Sequence, residues 1–542
     1  MDPSQAPTAS FGGASSRGRV GAGMPAAGAQ SLSAGIQVDG GGTTLREMPA
    51  LSLARVLFCA GAALSLGAVL SCSAVSQIPQ SSCTEDQACR DGFGLAWACN
   101  QDSGLCEEVA ESELCSGVYP ADLLTDPDKY PGDTILFATL LDGKGDIQMI
   151  RSANLAIEQV RNNDLEGRAF GMINCSYGDD MDGMRQLEDA VEAARFAVDN
   201  YGVKAIIGPG TSSLAEAVYN EVGDEVLLVS PSATSDSLTA IDGTNKSPQN
   251  PGTFWRTAPP DSGIARKMAE ILVADNRQRV ALIFKEVTYG ENLANLLNKS
   301  LLELNLPNPL IKVSYSNASV DLGQAMTEVS ALDVDEIVFI ADSNDDVVSF
   351  LNSAASLGAD PESSFGKATL MLGDAGFSEA NVLNMLSPTM LSEVFDVDMD
   401  GLLNIRLVIP VAPSGNVFDA FSIAYEATFD ESPANNGYTA ESYDAAWLAI
   451  YGAAWSLFNE GGLTAKGMGA GLHMLSSGAE VEINGTSWTS IRASFEAEQT
   501  VNVIGASGLL DYDSATEETT GEGELRQFIV EGGVLKYSEA GS

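Results

Sequence analysis

The chain is expected to be an α/β protein of two doubly wound parallel-sheet lobes, with a small Cys-rich segment ahead of them. Three observations predict this. From Asp133 onward, short apolar runs alternate with amphipathic helical patterns in two successive series. Strands in the first series run directly into small, hydroxyl-rich turns. Five cysteines crowd into Cys83–Cys115, a stretch too polar to build a core.

The first series opens with a strand at Thr134–Leu140, then Met149–Val160 with apolar residues at helical spacing. A strand at Ala169–Ile173 and the amphipathic helix Arg185–Asn200 follow. Strands at Ala205–Gly208 and Glu225–Ser230 complete it. The second series begins after Pro260, with helices at Ile264–Leu272, Glu291–Leu304 and Leu322–Ala331. Its strands fall at Val280–Phe284, Leu310–Ser314 and Glu336–Ala341. A βαβα order places parallel strands under helices on both faces, and ligands in such sheets sit beyond the carboxyl ends of the strands.

The most informative stretch is Val203–Thr239. Gly208-Pro209-Gly210 lets backbone N–H groups approach a ligand, and Ser212 or Ser213 is placed to cap the next helix. Ser230-Pro231-Ser232-Ala233-Thr234 repeats the device. Two helix N-termini aimed at one crevice favour a carboxylate or other anion. The plain alternative is a pair of ordinary βα turns with capping serines.

Composition narrows the function. A formal net charge of −46 disfavours nucleic acid and anionic lipid surfaces, which need Lys and Arg. One histidine, His473, leaves little room for acid–base enzymes, and it is expected to pack locally. No G-x-S-x-G elbow, Walker lysine loop or H-E-x-x-H is present. The run beginning at Asp396 starts like a calcium loop, but Leu407 stands where a bidentate Glu is required. The chain is read as a non-enzyme without cofactor or metal.

Residues 1–47 are rich in Gly, Ala and Ser and carry no apolar periodicity, so no fold is expected there. They are read as an over-long start, with Met48 as initiator. Residues 48–71 have the layout of a secretory signal: Arg55, the apolar run Val56–Val69, then small residues before Cys72. Val69-Leu70-Ser71-Cys72 is similar to a bacterial lipobox, with Leu70 bulkier than usual. Cys72 is therefore the expected lipidation site, placing the protein outside the cytoplasm and anchored to a membrane. Segment 72–132 is read as a Cys-rich linker or knot. Cys83, Cys89, Cys99 and Cys106 are expected to form two bridges, with Cys115 joined to Cys175. Six cysteines allow many pairings, and this is one among them.

In order and spacing, several segments resemble the type I periplasmic binding protein family, in its branch of branched-chain amino-acid-binding proteins and receptor ligand-binding regions. They are the two serine loops, the crossover Phe254-Trp255-Arg256-Thr257-Ala258-Pro259-Pro260-Asp261, Val280–Gly290, Asp335–Ala341, Leu370–Gly376, Tyr443–Ala446 and Gly505–Glu518. The resemblance runs from about Asp133 to the C-terminus. It implies a three-crossover hinge, with crossings near Trp255–Pro260, Ile405–Pro413 and Val501–Gly508. One lobe would then comprise 133–256 and 410–503, the other 257–409 and 504–542.

The resemblance also implies site residues. Ser212 matches the carboxylate-binding serine, with Ser213 one place along. Ser232, Ala233 and Thr234 match the second loop, and Tyr289 matches an aromatic that closes over the ligand. Asp374 lies at or beside the acidic residue that pairs with an α-amino group; a turn or cap role is its plain alternative. Ser343 and Asn344 are weaker candidates. The loop Asp142–Asp146 departs from the family pattern and leaves the side-chain pocket open. The expected function is binding of a small polar ligand, an amino acid or related zwitterion, by lobe closure. Expected partners are an ABC-type permease or a sensor. The rival readings are a signalling receptor with a non-amino-acid ligand and a surface interaction protein without one.

Overall fold

The computed structural model describes residues 81–161, 165–178, 183–306, 310–396, 399 and 401–538. The expected signal segment, Cys72 and residues 1–47 lie outside them.

The first lobe is built on a six-stranded sheet. Its order is Gly117–Tyr119, Phe170–Tyr177, Ile135–Asp142, Ala205–Ile207, Leu227–Ser230 and Phe254–Arg256. The edge strand Gly117–Tyr119 runs antiparallel and all other neighbours are parallel. The second lobe has seven strands, in the order Leu310–Tyr315, Val280–Lys285, Glu336–Ile340, Thr369–Leu372, Leu402–Pro410, Gly523–Glu531 and Val534–Tyr537. The first five are parallel, and the last two add an antiparallel hairpin. Covered parallel strands read as unbroken apolar runs because both faces are buried. The central strands Leu227–Ser230, Glu336–Ile340 and Thr369–Leu372 are buried at every position.

The helix Thr439–Asn459 returns to the first lobe and is buried from Thr439 through Ser456. A helix apolar on all sides has to lie in a core. Here Trp447 and Tyr451 pack with Trp488, Tyr443 packs edge-on against Trp447, and Trp455 packs edge-on against Phe495. Gly452 lets the helix Ala465–Leu472 come close, since a Cβ there would sit 3.0 Å from the Met468 carbonyl oxygen.

Two expectations need correcting. The third crossover does not fall at Val501–Gly508. Ala506, Leu510 and Tyr512 belong to the first lobe's core, and the chain enters the second sheet only at Gly523. The apolar side chains decide this, because Tyr512 packs edge-on against Trp255 at the end of the first sheet. Nor is 72–132 merely a linker. Its described part supplies the edge strand, and Leu95, Leu123 and Tyr130 join the first lobe's core. Disulfides join Cys83 to Cys99, Cys89 to Cys106 and Cys115 to Cys175. The last one fastens this segment to the strand Phe170–Tyr177.

Candidate functional site

The turn after Ala205–Ile207 is set by Gly208. Its φ is +124°, and a Cβ would stand 2.3 Å from the Leu140 carbonyl oxygen. The following helix, Ser212–Val222, is capped by Thr211 rather than by either serine. Ser212 is buried, and its hydroxyl accepts the Ser235 N–H at 3.2 Å. Ser213 accepts the Thr288 N–H of the second lobe at 3.1 Å. In the second loop, Ser232 donates to the Gly210 carbonyl at 2.7 Å, and the Ala233 N–H donates to Ser230 at 3.0 Å. This loop opens a 3₁₀ turn, Asp236–Ala240, capped by Ser235, where an α-helix was expected. Most of these hydroxyls thus stitch the two loops together. The Thr234 Oγ1 is buried and makes no well-formed hydrogen bond.

Arg256 holds the second loop from behind. It donates to the carbonyls of Ala233 and Ser235 at 3.0 and 2.8 Å, and grips Glu518 through two bonds of 2.7 and 2.6 Å. One buried guanidinium therefore links the loop, the first crossover and the last crossover.

Across the cleft, Tyr289 stands in the first turn of the helix Thr288–Glu303 and donates to one oxygen of Asp374. The other oxygen receives the hydroxyl of Tyr438, which the first lobe contributes. Tyr438 has a φ of +63°, a left-handed conformation unusual for a bulky residue. It is set immediately before the helix Thr439–Asn459. Burial raises the Asp374 carboxyl above its ordinary pKa, and the two tyrosine hydroxyls temper the rise. Asp261, in the first crossover, is completely buried; its Oδ2 accepts a long bond from Asn292 at 3.5 Å, and its Oδ1 makes no well-formed hydrogen bond among the described residues. Burial and then the charge of Asp374 push its carboxyl up to about 8, against the Thr234 hydroxyl and the Arg256 charge, which lower it. No ion pair to Asp261 or Asp374 occurs among the described residues. Two neighbouring carboxyls without a cation suit an ammonium group, whose charge would let both ionise.

Ser343 sits apart from this group in its bonding. It caps the helix Asn344–Gly358, accepting the Asp346 N–H at 3.3 Å, while Asn344 donates to the Ala375 carbonyl at 2.7 Å. The loop that departs from the family pattern is acidic as well. The Asp142 N–H donates to Asp146 at 3.1 Å, and burial followed by the charge of Asp142 lifts Asp146 to about 7. Lys285 pairs with Asp342 at 2.7 Å and Asp346 at 3.2 Å.

The lobes touch directly in this structure. Thr288 donates to Glu216 at 3.0 Å, and Asn381 donates to the Gly145 carbonyl at 2.8 Å. Asp261 and Tyr438 were missed in the sequence. Asp261 ends the crossover motif, where the proline beside it draws the eye. Tyr438 belongs to no motif at all, and only its fold-imposed position brings it to Asp374. His473, expected to pack locally, instead bonds to Glu517 at 2.7 Å and packs edge-on against Trp255.

A family model described as periplasmic binding protein matches residues 144–476, more than half of the chain. The chain belongs to the type I periplasmic binding protein family. It is 34% identical over 138 residues to glutamate receptor 2.1 of Arabidopsis thaliana, and 35% identical over 136 residues to glutamate receptor 2.2 of the same plant. Each match takes in 24% of this chain and 14% of the relative, so the chain spans only a small part of those receptors. Among solved structures, a leucine-binding protein from Thermotoga maritima aligns with a TM-score of 0.52 at 17% identity. That alignment covers 75% of this chain and 98% of the other. A branched-chain amino-acid substrate-binding protein from Streptococcus pneumoniae, solved with isoleucine, aligns at 0.51 and 17% identity, covering 75% and 99%. An R. palustris solute-binding protein, solved with 4-hydroxybenzoate, aligns at 0.55 and 14% identity, covering 75% and 97%. These likenesses establish the fold. Family members are extracytoplasmic binding or receptor proteins rather than enzymes. No helix among the described residues is long and apolar enough to cross a membrane.

Proposed function

We propose that this protein is an extracytoplasmic binding protein that takes up a small zwitterion, an amino acid or close relative, and passes it to an ABC-type permease. The observation that carries the reading is the Asp261 and Asp374 pair, buried at the lobe interface with no cation ion-paired to either among the described residues. An α-ammonium would complete it. The loops at Gly208–Ser213 and Ser230–Ser235 would take the carboxylate through backbone amides and the hydroxyls of Ser212 and Thr234, with Ser213, Ser232 and Ala233 shaping that pocket. Tyr289 and Tyr438 reach Asp374 from opposite lobes, so ligand and closure would favour one another.

Cys72 would carry the lipid anchor, and mass spectrometry of the native protein should find acylation there with nothing N-terminal to it. The partial match to plant glutamate receptors favours one second reading, a sensor using the same cleft.

A thermal-shift screen against amino acids tests the binding claim. A ligand at 100 times its Kd should add about 2.7 kcal/mol of stability. Asp374→Ala should weaken binding by about 2–5 kcal/mol, as expected for truncating a buried charge partner. No stabilisation by any amino acid, or affinity untouched by Asp374→Ala, rules the reading out.

A further inference from the structure

We infer that the ligand carries a second cationic group at the end of a short aliphatic chain, and that Glu441 receives it. The inference rests on the amine reading above and extends it to ligand class: a diamino acid. A cavity of about 230 Å³ opens beside Asp374 toward the second crossover. Its walls include Ile409, Pro413 and Phe418, which offer hydrocarbon contact. Asp374 and Glu441 both line it, so the cavity presents two carboxyl groups joined by an apolar surface.

Glu441 is 6% exposed, and only its own backbone amide bonds to its carboxyl. This is not a general habit of its helix. One turn further on, Asp444 accepts the Ala506 N–H at 2.9 Å, the Ser507 N–H at 2.7 Å and the Ser507 hydroxyl at 2.6 Å. The fold thus fully satisfies one acid of the helix and leaves the other facing a cavity. An unpaired buried carboxyl destabilises the unliganded protein unless it stays protonated. Burial, with Asp444 adding, holds Glu441 at about 8. The cation bordering this cavity does not answer it: Arg526 pairs with Glu524 and donates to the Ser538 carbonyl at 2.9 Å. The remaining titratable neighbours, Tyr438 and Asp374, are bonded to each other. A neutral aliphatic side chain would fill the apolar walls but leave Glu441 buried and unmet. A terminal ammonium would meet it.

Lysine and norleucine differ only in that terminal amine, so isothermal titration with the two tests the inference. The wild-type protein should bind lysine at least about tenfold more tightly. Glu441→Gln should remove that preference by weakening lysine while leaving norleucine unchanged, and the variant's melting curve checks that it folds. A readout independent of any variant is proton release. At pH 7 lysine should displace more protons than norleucine, seen as a steeper dependence of binding enthalpy on the buffer. Equal or tighter binding of norleucine, or equal proton release, overturns the inference while the amine reading stands. Failure of both ligands and of every other amino acid would instead remove the reading beneath it.

Discussion

Behind the first sheet and within the cleft, this protein buries carboxyl groups under opposite rules. Behind the sheet the buried acids among the described residues have partners. Glu518 is gripped by Arg256, while Asp242 and Glu517 flank Lys246 at 2.6 and 3.2 Å. Glu517 also bonds to His473 and accepts the Gly252 N–H at 2.8 Å. In the cleft Asp261, Asp374 and Glu441 are as deeply buried, yet among the described residues no cation forms an ion pair with them, and Arg256, which pairs with Glu518, reaches Asp261 only through its charge. Burying an unmatched charge costs several kcal/mol, so a fold keeps such groups only where something else supplies the partner. The contrast separates acids that hold the hinge from acids that await a ligand.

The sharpest way to break the comparison is to treat both groups alike. Glu518→Gln should destabilise the protein by about 3–5 kcal/mol, because Arg256 then stays buried without its counter-charge. Asp261→Asn at pH 8 should instead raise unliganded stability, since it removes a buried carboxyl that is partly ionised at that pH. Urea denaturation with a common slope compares them. Similar losses for the two variants would abolish the distinction. Arg256 also positions the Ala233–Ser235 loop, so Glu518→Gln should loosen that loop as well as the hinge.

The two groups were unequally legible in the sequence. The lobes could be read because parallel strands such as Val280–Phe284 and Glu336–Ala341 are continuous apolar runs with helices between them. The serine loops could be read from glycine, proline and hydroxyl chemistry at strand ends. Asp374 could be named only through family resemblance, because an acid in so acidic a chain carries no local signal. Asp261, in the first crossover, and the neighbours Tyr438 and Glu441, at the start of the helix Thr439–Asn459, come from two distant places in the chain and approach only through the crossovers. The last crossover was misplaced for the same reason. Nothing local in Gly505–Tyr512 says that Leu510 and Tyr512 prefer the first core, and Trp255, far away in sequence, decides it. The cap of Ser212–Val222 was misread by one position, since Thr211 competes for the same N–H groups.

A second prediction concerns pH. Asp261 and Glu441 have raised pKa values in the folded protein, each about 8, against ordinary values near 4. Between those values the folded state holds protons that the unfolded chain has released. Their stabilising effect is complete below about pH 4 and is lost as pH rises toward and through about 8. The unliganded protein should therefore melt at progressively lower temperature from pH 5 to pH 8. A saturating amine ligand should flatten that slope, because it stabilises the ionised carboxyls directly. A melting temperature that climbs across this window would show that the cleft acids are ionised and matched without ligand.

The smallest expected effect separates closure from chemistry. Ser213 was named as a ligand residue, but its hydroxyl accepts the Thr288 N–H across the cleft. Ser213→Ala should thus cost the lobe contact about 1 kcal/mol, the net worth of a typical hydrogen bond. Because Tyr289 follows Thr288 in the same helical turn, loosening this bond should weaken every ligand by the same factor, roughly fivefold. A contact to the ligand carboxylate would behave differently, with the loss confined to ligands that have one. Comparing an amino acid with its amide tells the two apart: equal losses assign Ser213 to the closed state, and a loss confined to the acid assigns it to the ligand.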